Sequence, residues 1–218
     1  SCELQNDFNN ITLRFNDNII SCKYMFSLLD NIIDIDLSNF DTSKVTNMEG
    51  MFSYCTNLEK ITFGNINTSL VENMMQLFYH CKTLTSIDLS HFNTSLVTTM
   101  KEMFSNCKKI KTLDASKFNT SKVKDMYDLV GNCDILETIN LSNFDTSNVE
   151  RMQGMFIYDS NLKYLDLKNF QASSLNNIGY MFNGCSKLVY INLRSFKIVN
   201  KETWKVDTFN SITDTKIC

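Results

Sequence analysis

Apolar and polar positions follow two patterns that alternate along the chain. In the first pattern, apolar residues occupy L-x-x-L-x-L-x-x-F, as at Leu84, Ile87, Leu89 and Phe92. The last part of this pattern alternates with a period of two, which is typical of a β-strand. We therefore predict a short strand around Ile87 to Leu89 and at the equivalent places.

The second pattern predicts a short helix. Its apolar positions are spaced by three, three, one and three residues, which places them on one face of a helix about three turns long. The first clear copy of this stripe is Val45, Met48, Met51, Phe52 and Cys55. Thr42 and Ser43 precede it, and we interpret them as N-caps whose side-chain oxygens satisfy free backbone donors.

Both patterns recur with a period of 26 residues and without insertions. The segment FDTSKVTNMEGMFSYC, which starts at Phe40, returns as INTSLVENMMQLFYHC and FNTSLVTTMKEMFSNC and in three later copies. A fixed period of this size indicates a repeat solenoid, because single units cannot bury their apolar faces alone. We predict an α/β leucine-rich-repeat solenoid of about seven strand-helix units, with atypical terminal caps. We predict a single domain, 1–218, which consists of an N-terminal cap at 1–31, repeats at 32–200 and a C-terminal cap at 201–218. In the C-terminal cap, Trp204 is predicted to cover the last unit.

The stretch LSNFDTSKVTNMEGMFSYCTNL resembles the repeat of BspA-like leucine-rich-repeat surface proteins, which occur in bacteria, mycoplasmas and several protists. The resemblance covers about residues 16–200 and departs at Val130, which replaces a Phe, and at Asp159, which replaces a Cys. It implies a surface adhesin or display scaffold, located extracellularly or at the cell surface, with no catalytic residues to carry over.

Charge and hydropathy narrow the expected partners. The formal net charge is −3 and no run of like charge occurs, so nucleic acid is not an expected partner. No apolar run approaches the roughly 20 residues of a membrane-spanning helix, so we expect no membrane-spanning segment. Because the chain opens with SCELQND and not with Met, we expect a processed or trimmed chain.

Five of the eight cysteines share one repeat position: Cys55, Cys81, Cys107, Cys133 and Cys185. They could form a redox or metal ladder, or pack as small buried thiols. We favour buried thiols, because stacked units hold Cβ atoms at the rung spacing, beyond the roughly 3.8 Å of a disulfide. Outside this column, we predict a Cys2–Cys22 disulfide in the N-terminal cap and an intermolecular role for the Cys218 thiol.

Catalytic signals are weak. The two histidines are His80 and His91, and His80 adjoins Cys81 in sequence, where the two side chains would diverge on a helix. The chain has no glycine-rich loop, no C-x-x-C motif and no zinc-ligand spacing. We expect no enzyme activity, no metal and no cofactor.

Outward positions of the predicted strands form a polar column. Its members are Asp36, Thr62, Asp88, Asp114, Asn140, Asp166 and Asn192, flanked by Tyr164 and Tyr190. The column could bind Ca²⁺, a basic partner or a glycan, or it could be a solvated face that keeps the sheet soluble. Separately, N-glycosylation sequons stand at Asn10, Asn67, Asn93, Asn119 and Asn140. Asp41 and Asp145 share the repeat position of three of these asparagines, which favours turn formation as that position's primary role.

Two functional hypotheses follow. The first is a non-enzymatic extracellular or cell-surface module that binds protein or glycan through the solenoid surface. The second is a structural subunit that stacks end to end with copies of itself into an extracellular fibre, because a solenoid is open at both ends.

Overall fold

The protein is described here from a computed structural model, which covers residues 18–196, 208 and 216–217. Each 26-residue unit forms one rung of a stack, and most rungs contribute a short parallel strand. The strands are β1 (Asp34–Asp36), β2 (Lys60–Thr62), β3 (Thr112–Asp114), β4 (Thr138–Asn140), β5 (Tyr164–Asp166), β6 (Tyr190–Asn192) and β7 (Lys216–Ile217).

The strands pair in parallel, with each residue opposite its repeat equivalent. Ile35 lies opposite Ile61 and Leu165 lies opposite Ile191, which keeps the apolar positions of all rungs on one side. Three small sheets result, with strand orders β1-β2, β3-β4 and β5-β6-β7. The strand predicted around Ile87 is wrong, because residues 86–88 form no strand, and nothing in the chemistry of Ser86 or Asp88 explains this interruption.

The predicted helix is also wrong, since the described residues contain no helix. Residues 46–55 and their equivalents instead form consecutive turns. Alternate N–H groups donate to the next rung, as Gly50 N–H does to the Met75 carbonyl at 2.8 Å and Phe52 N–H does to the Leu77 carbonyl at 3.0 Å. The N–H groups between them close tight turns, such as Met51 N–H to the Met48 carbonyl at 3.2 Å. A helix would leave these inter-rung bonds unmade.

Two residues in each rung have a left-handed backbone, which a helix does not tolerate. In the second rung these are Gly50, with φ of 58°, and Tyr54, with φ of 61°. The same two positions have positive φ in the next two rungs, as at Gln76 and His80. Positive φ at the third residue of a four-residue turn is the requirement of a type II turn. The rungs are joined continuously at this side by parallel bridges from Ser21 through Asn47 to Asn177.

The core consists of columns of identical positions. The apolar residues of the predicted helical stripe are all buried, so their inward direction is confirmed although their conformation is not. Phenylalanine rings stack along the axis, as Phe52 does on Phe78 with centroids 5.6 Å apart and on to Phe104 at 5.5 Å. Val130 interrupts this column, which resumes with Phe156 and Phe182 at 5.8 Å.

Buried threonines of the DTS motif join neighbouring rungs. The Thr94 hydroxyl accepts the Asn119 N–H at 2.8 Å and donates to the Asn119 carbonyl at 2.9 Å. The same pair of bonds is made by Thr68 and Thr120. Thr42 accepts the Asn67 N–H at 2.8 Å, so its predicted role as a helix N-cap is wrong. This position satisfies backbone groups of the next rung instead.

Candidate binding surfaces

The surface has two long sides, which we call the strand face, formed by β1 to β6, and the turn face, formed by residues 46–55 and their equivalents. The polar column predicted on the strand face is exposed at Asp36, Asp88, Asp114, Asn140 and Asp166. It is not continuous, because residues 86–88 do not pair. Thr62 is half-buried.

These carboxylates also form local turns. Asp36 Oδ1 accepts the Ser38 N–H at 2.8 Å, and Asp114 Oδ1 accepts the Ser116 N–H at 3.0 Å. These serine hydrogen bonds lower the pKa of Asp36 and Asp114. One oxygen of each side chain is therefore already engaged within its own loop, and the column does not converge on a common point.

The last two complete rungs bring the strand-face tyrosines together. Tyr164 lies opposite Tyr190 in the β5–β6 register, and the Tyr164 side chain is 61% exposed. Asn192, predicted to face solvent, is only 8% exposed and donates to Asp166 Oδ1 at 2.9 Å. Its amide bonds to the carboxylate of the neighbouring rung and does not face solvent. The strand-face column remains a prediction as a binding site.

The exposed asparagines of the sequons form turns too. Asn67, Asn93 and Asn119 each accept, through Oδ1, the N–H of the serine two residues later, at 3.0 to 3.1 Å. Asp41 and Asp145 make the same bond at 2.8 and 3.0 Å. This geometry agrees with turn formation as the shared role of the position. Glycosylation stays a prediction, and Asn10 lies outside the described residues.

A broad groove of about 780 Å³ lies at the corner after β4, β5 and β6. Its lining includes Asn143, Lys168, Asn169 and Arg194. Asn143 and Asn169 each donate to a carbonyl of the preceding rung, as Asn169 does to Ser142 at 2.7 Å. The two amides are thus engaged in holding rungs together.

A second groove, on the turn face, contains the main aromatic cluster. We call it the tyrosine groove; it has a volume of about 560 Å³ and is lined by Tyr24, Ser27, Leu28, Ser53, Tyr54, Gln76 and Tyr79. The Tyr54 ring lies 5.3 Å from the Tyr79 ring, edge to face, and 4.7 Å from the His80 ring, nearly parallel. Tyr24 and Tyr54 remain 42% and 40% exposed.

A hydrogen-bond network holds the floor of the tyrosine groove. The Tyr24 hydroxyl donates to Glu49 Oε1 at 3.0 Å and reaches Gln76 Oε1 at 3.5 Å. Lys23 pairs with Glu49 at 3.0 Å, and Gln76 Nε2 donates to Glu102 at 2.6 Å. Burial lowers the pKa of His80 and raises the pKa of Tyr79 to about 12, so both rings are uncharged at neutral pH.

Sequence reasoning missed the tyrosine groove because it treated residues 45–55 as a helix. In the turn stack, the residue before each column cysteine points outward, which makes Tyr54 and His80 neighbours on the surface. The segments MFSYC and LFYHC contain this signal, since an aromatic residue directly before Cys has no place in the core stripe.

The cysteine column is a structural feature. Each thiol donates to the carbonyl of the phenylalanine 29 residues earlier, as Cys81 does to Phe52 at 3.1 Å and Cys107 does to Phe78 at 3.1 Å. Burial raises the pKa of Cys55 to about 11 and of Cys107 to about 12, which disfavours the reactive thiolate. Cys22 is fully buried; Cys2, its predicted disulfide partner, and Cys218 lie outside the described residues.

Two neighbouring rungs each contain a carboxylate that is removed from solvent, fully at Asp159 and partly at Asp128. Asp159 occupies the cysteine position and is fully buried; its Oδ1 accepts the Cys133 N–H at 2.9 Å and its Oδ2 has no partner. Burial raises the pKa of Asp159 well above its usual value. In the preceding rung, Asp128 accepts from Ser105 Oγ at 2.9 Å, and burial raises its pKa to about 6.

Two kinds of feature are absent from the residues that the structure describes. In this part of the chain, no three His, Cys, Asp or Glu side chains are grouped so that they could hold a metal ion. Within the same residues, no helix is long and apolar enough to cross a membrane.

The fold and the repeat define the class of leucine-rich-repeat solenoids. The chain matches the family described as "Mycoplasma protein of unknown function, DUF285" over residues 20–138 and 111–215, and it belongs to this family. Comparison with curated proteins gives no match.

Two solved structures are similar. A leucine-rich repeat protein from Bacteroides ovatus is 21% identical with a TM-score of 0.54, over 82% of this chain and 45% of that protein. A leucine rich cell surface protein from Faecalibacterium prausnitzii is 16% identical with a TM-score of 0.42, over 85% of this chain and 59% of that protein. The chain thus spans less than two thirds of either protein. The resemblance to BspA-like leucine-rich-repeat proteins is confirmed.

Proposed function

We propose that this chain is a non-enzymatic binding module, extracellular or at the cell surface, which recognises protein or glycan through its solenoid surface. The observation that carries the proposal is the tyrosine groove, an open surface with three tyrosines of which two are about two-fifths exposed. Exposed aromatic side chains grouped in one place are typical of recognition surfaces.

The states of Cys81 and Asp159 support binding over catalysis. Cys81, which adjoins His80 in sequence, is a poor nucleophile, since burial raises its pKa well above the usual value and disfavours the thiolate. The Asp159 carboxyl, whose pKa is raised, is fully buried, so no substrate can reach it. Neither group is placed to act on a bound molecule.

The test is a binding screen with the purified chain. Immobilised protein would be presented with extracellular-matrix proteins and with an array of glycans, and captured ligands would be confirmed by titration in solution. Saturable binding of at least one ligand is the expected result. Absence of saturable binding across both sets would contradict the proposal.

Paired variants would assign the face that binds. Tyr54→Asn changes the turn face, and asparagine already occupies this repeat position at Asn106 and Asn132. Tyr164→Thr changes the strand face, and threonine occupies its position at Thr112 and Thr138. Loss of binding in the second variant alone would place the site on the strand face, as the sequence predicts.

One observation favours the fibre subunit as a second candidate. Strand β7 pairs with β6 in the repeat register, and Ile217, equivalent to the buried Ile191, is 53% exposed. Its outer edge is not paired with any other described strand, and an open edge can template a further strand. Sizing at increasing concentration, with and without reductant, tests this candidate: a monomer under all conditions would contradict it.

A further inference from the structure

The tyrosine groove has a lining without charge. Its seven residues are three tyrosines, two serines, one leucine and one glutamine. The nearby carboxylates have partners of their own: Glu49 is paired with Lys23 at 3.0 Å, and Glu102 accepts from Gln76 at 2.6 Å. The Lys23 ammonium lies 5.5 Å from the Tyr24 ring centroid, but Glu49 already neutralises it, so it is not free for an anionic ligand.

The groove extends along the solenoid axis. It takes Tyr24 from the first described rung, Tyr54 from the second and Tyr79 from the third. Three rungs at the usual strand spacing of about 4.8 Å span roughly 10 Å. A shallow groove of this form suits a chain-like ligand that lies across several rungs, and not a small molecule that must be enclosed on most sides.

The side-chain chemistry combines ring faces with neutral hydrogen-bonding groups. The Tyr24 ring lies over Gly50, where even a Cβ atom would collide with it. The Ser27 hydroxyl at the groove wall lies 2.8 Å from the hydroxyl of Ser53, which is buried. The half-buried Gln76 amide bonds to the Tyr24 hydroxyl and to Glu102. A pyranose ring has an apolar C–H face, which packs on an aromatic ring, and a rim of hydroxyls, which need donors and acceptors.

The left-handed positions that every rung contains are occupied by large side chains at the groove. Tyr24, Tyr54, Gln76 and His80 all have φ between 52° and 61°. Such a conformation costs about 1 kcal/mol or more for a residue with a side chain. Other rungs place Gly154 and Gly184 at the same repeat positions, so large side chains are not needed there for the fold.

We propose that the tyrosine groove binds a neutral glycan chain, whose sugar rings lie on the Tyr24 and Tyr54 side chains and whose hydroxyls meet Ser27 and Gln76. This inference rests on the proposed binding function and names the ligand class for one face. A protein partner would need a larger surface, typically about 800 Å² on each side, with a fully buried and more apolar centre.

The test uses the whole chain and hexasaccharides of defined linkage. The neutral probes are maltohexaose, cellohexaose, laminarihexaose, mannohexaose and chitohexaose, and the anionic probes are a hexagalacturonide and a heparin hexasaccharide. Binding is measured by isothermal titration calorimetry at neutral pH. We expect at least one neutral probe to bind, and the anionic probes to bind more weakly than it does.

Matched variants locate the site. Tyr54→Asn removes the ring and retains a residue type that the chain uses at this position, and we expect it to weaken binding by about tenfold or more. Tyr158→Asn removes the same side chain from the same repeat position outside the groove, where Tyr158 is 53% exposed. It should leave the affinity unchanged. The unfolding midpoint of each variant shows whether it is folded.

Several outcomes would overturn the inference. Preference for an anionic probe would do so, as would equal losses in the two variants or loss in Tyr158→Asn alone. If no hexasaccharide binds but a matrix protein does in the broader screen, the glycan inference fails and the binding function survives. If neither binds, both fail.

Discussion

At the residue scale, the threonine hydroxyls show why the DTS motif recurs. Thr94 is 1% exposed, and its single hydroxyl both accepts from and donates to the Asn119 backbone. The series of threonines at this repeat position ends at Ala172. The motif thus joins each rung to the next one, through backbone groups that no strand pairs.

Replacement of Thr94 by valine tests this role. Thr94→Val keeps the shape and leaves the Asn119 N–H and carbonyl without partners, which should lower the free energy of unfolding by about 1 to 3 kcal/mol. Thr94→Ser keeps the hydroxyl and should cost less, about 0.8 kcal/mol for the lost methyl group. Urea denaturation measures both. Equal losses would show that packing and not hydrogen bonding explains the position.

Asp159 gives the protein a predictable pH dependence. Burial raises its folded-state pKa, and the negative charges of Asp128 and Asp134 add to the rise, whereas the hydrogen bond from the Cys133 N–H opposes it. Between the ordinary carboxyl pKa and this raised value, the folded state binds more protons than the unfolded state, so stability falls as the pH rises. Asp128, with its pKa of about 6, contributes in the same direction.

Restoration of cysteine at this position should therefore stabilise the protein most at high pH. Asp159→Cys continues the thiol column and removes the buried carboxyl, and we expect it to add about 1 to 3 kcal/mol at pH 8 and less at pH 5. Thermal and urea unfolding of both proteins at the two pH values measures the difference. A gain independent of pH would show that Asp159 does not titrate in this range.

At the element scale, the helix was mispredicted because burial does not report backbone conformation. A helix and a stack of turns both direct Val45, Met48, Met51, Phe52 and Cys55 inward, so the spacing of apolar residues is the same. The distinguishing signal lies at the polar positions between them. Glycine at 50, 154 and 184 and asparagine at 106 and 132 recur at the two left-handed positions, and these residue types favour that conformation.

Apart from the strand expected around Ile87, the strands and the core columns were predictable for a different reason. Period-two alternation has one common interpretation, and a 26-residue repeat without insertions aligns each strand with its equivalent. The tyrosine groove depends on contacts between side chains of three rungs, such as Tyr24 with Gln76. Those contacts follow from the turn geometry, so they could not be inferred while the turns were taken for a helix.

At Asn106, the difference in stability between an Ala variant and a Gly variant has opposite signs in a helix and in a left-handed turn. In a helix, Ala is more stable than Gly by about 1 kcal/mol. At the observed φ of 63°, the Cβ of Ala is strained, and Gly should be the more stable by about 1 kcal/mol. Both variants lose the bond from Asn106 to Ser105 Oγ equally. Urea unfolding of Asn106→Ala and Asn106→Gly, compared with each other, decides between helix and turn.

At the scale of the whole molecule, each rung contacts its two neighbours, so stability is close to a sum over rungs and their interfaces. The interfaces are unequal. Phe26, Phe52, Phe78 and Phe104 form an unbroken stack, whereas Val130 separates Phe104 from Phe156. The rung of Val130 also contains Asp128, whose Oδ1 is buried without a partner.

Removal of one whole repeat should therefore leave a folded protein, with a stability that depends on which repeat is removed. Deletion of 119–144 joins Phe118 to Asp145, removes Asp128 and Val130, and brings Phe104 onto Phe156. Deletion of 93–118 has the same length, joins Phe92 to Asn119, and leaves Val130 against Phe78. We expect the first deletion to be more stable than the second, by about 1 kcal/mol or more, because it restores ring stacking and removes a buried carboxyl.

Urea unfolding and size-exclusion chromatography of both deletions measure this difference. A third protein lacking 119–131, half a repeat, is the control, because it places the turn of one rung against the strand of the next and should not fold cooperatively. If both whole-repeat deletions are equally stable, the interfaces are equivalent and Val130 is not a weak point. If neither folds, stability does not arise from neighbouring rungs alone, and contacts beyond adjacent repeats must contribute to the free energy of folding.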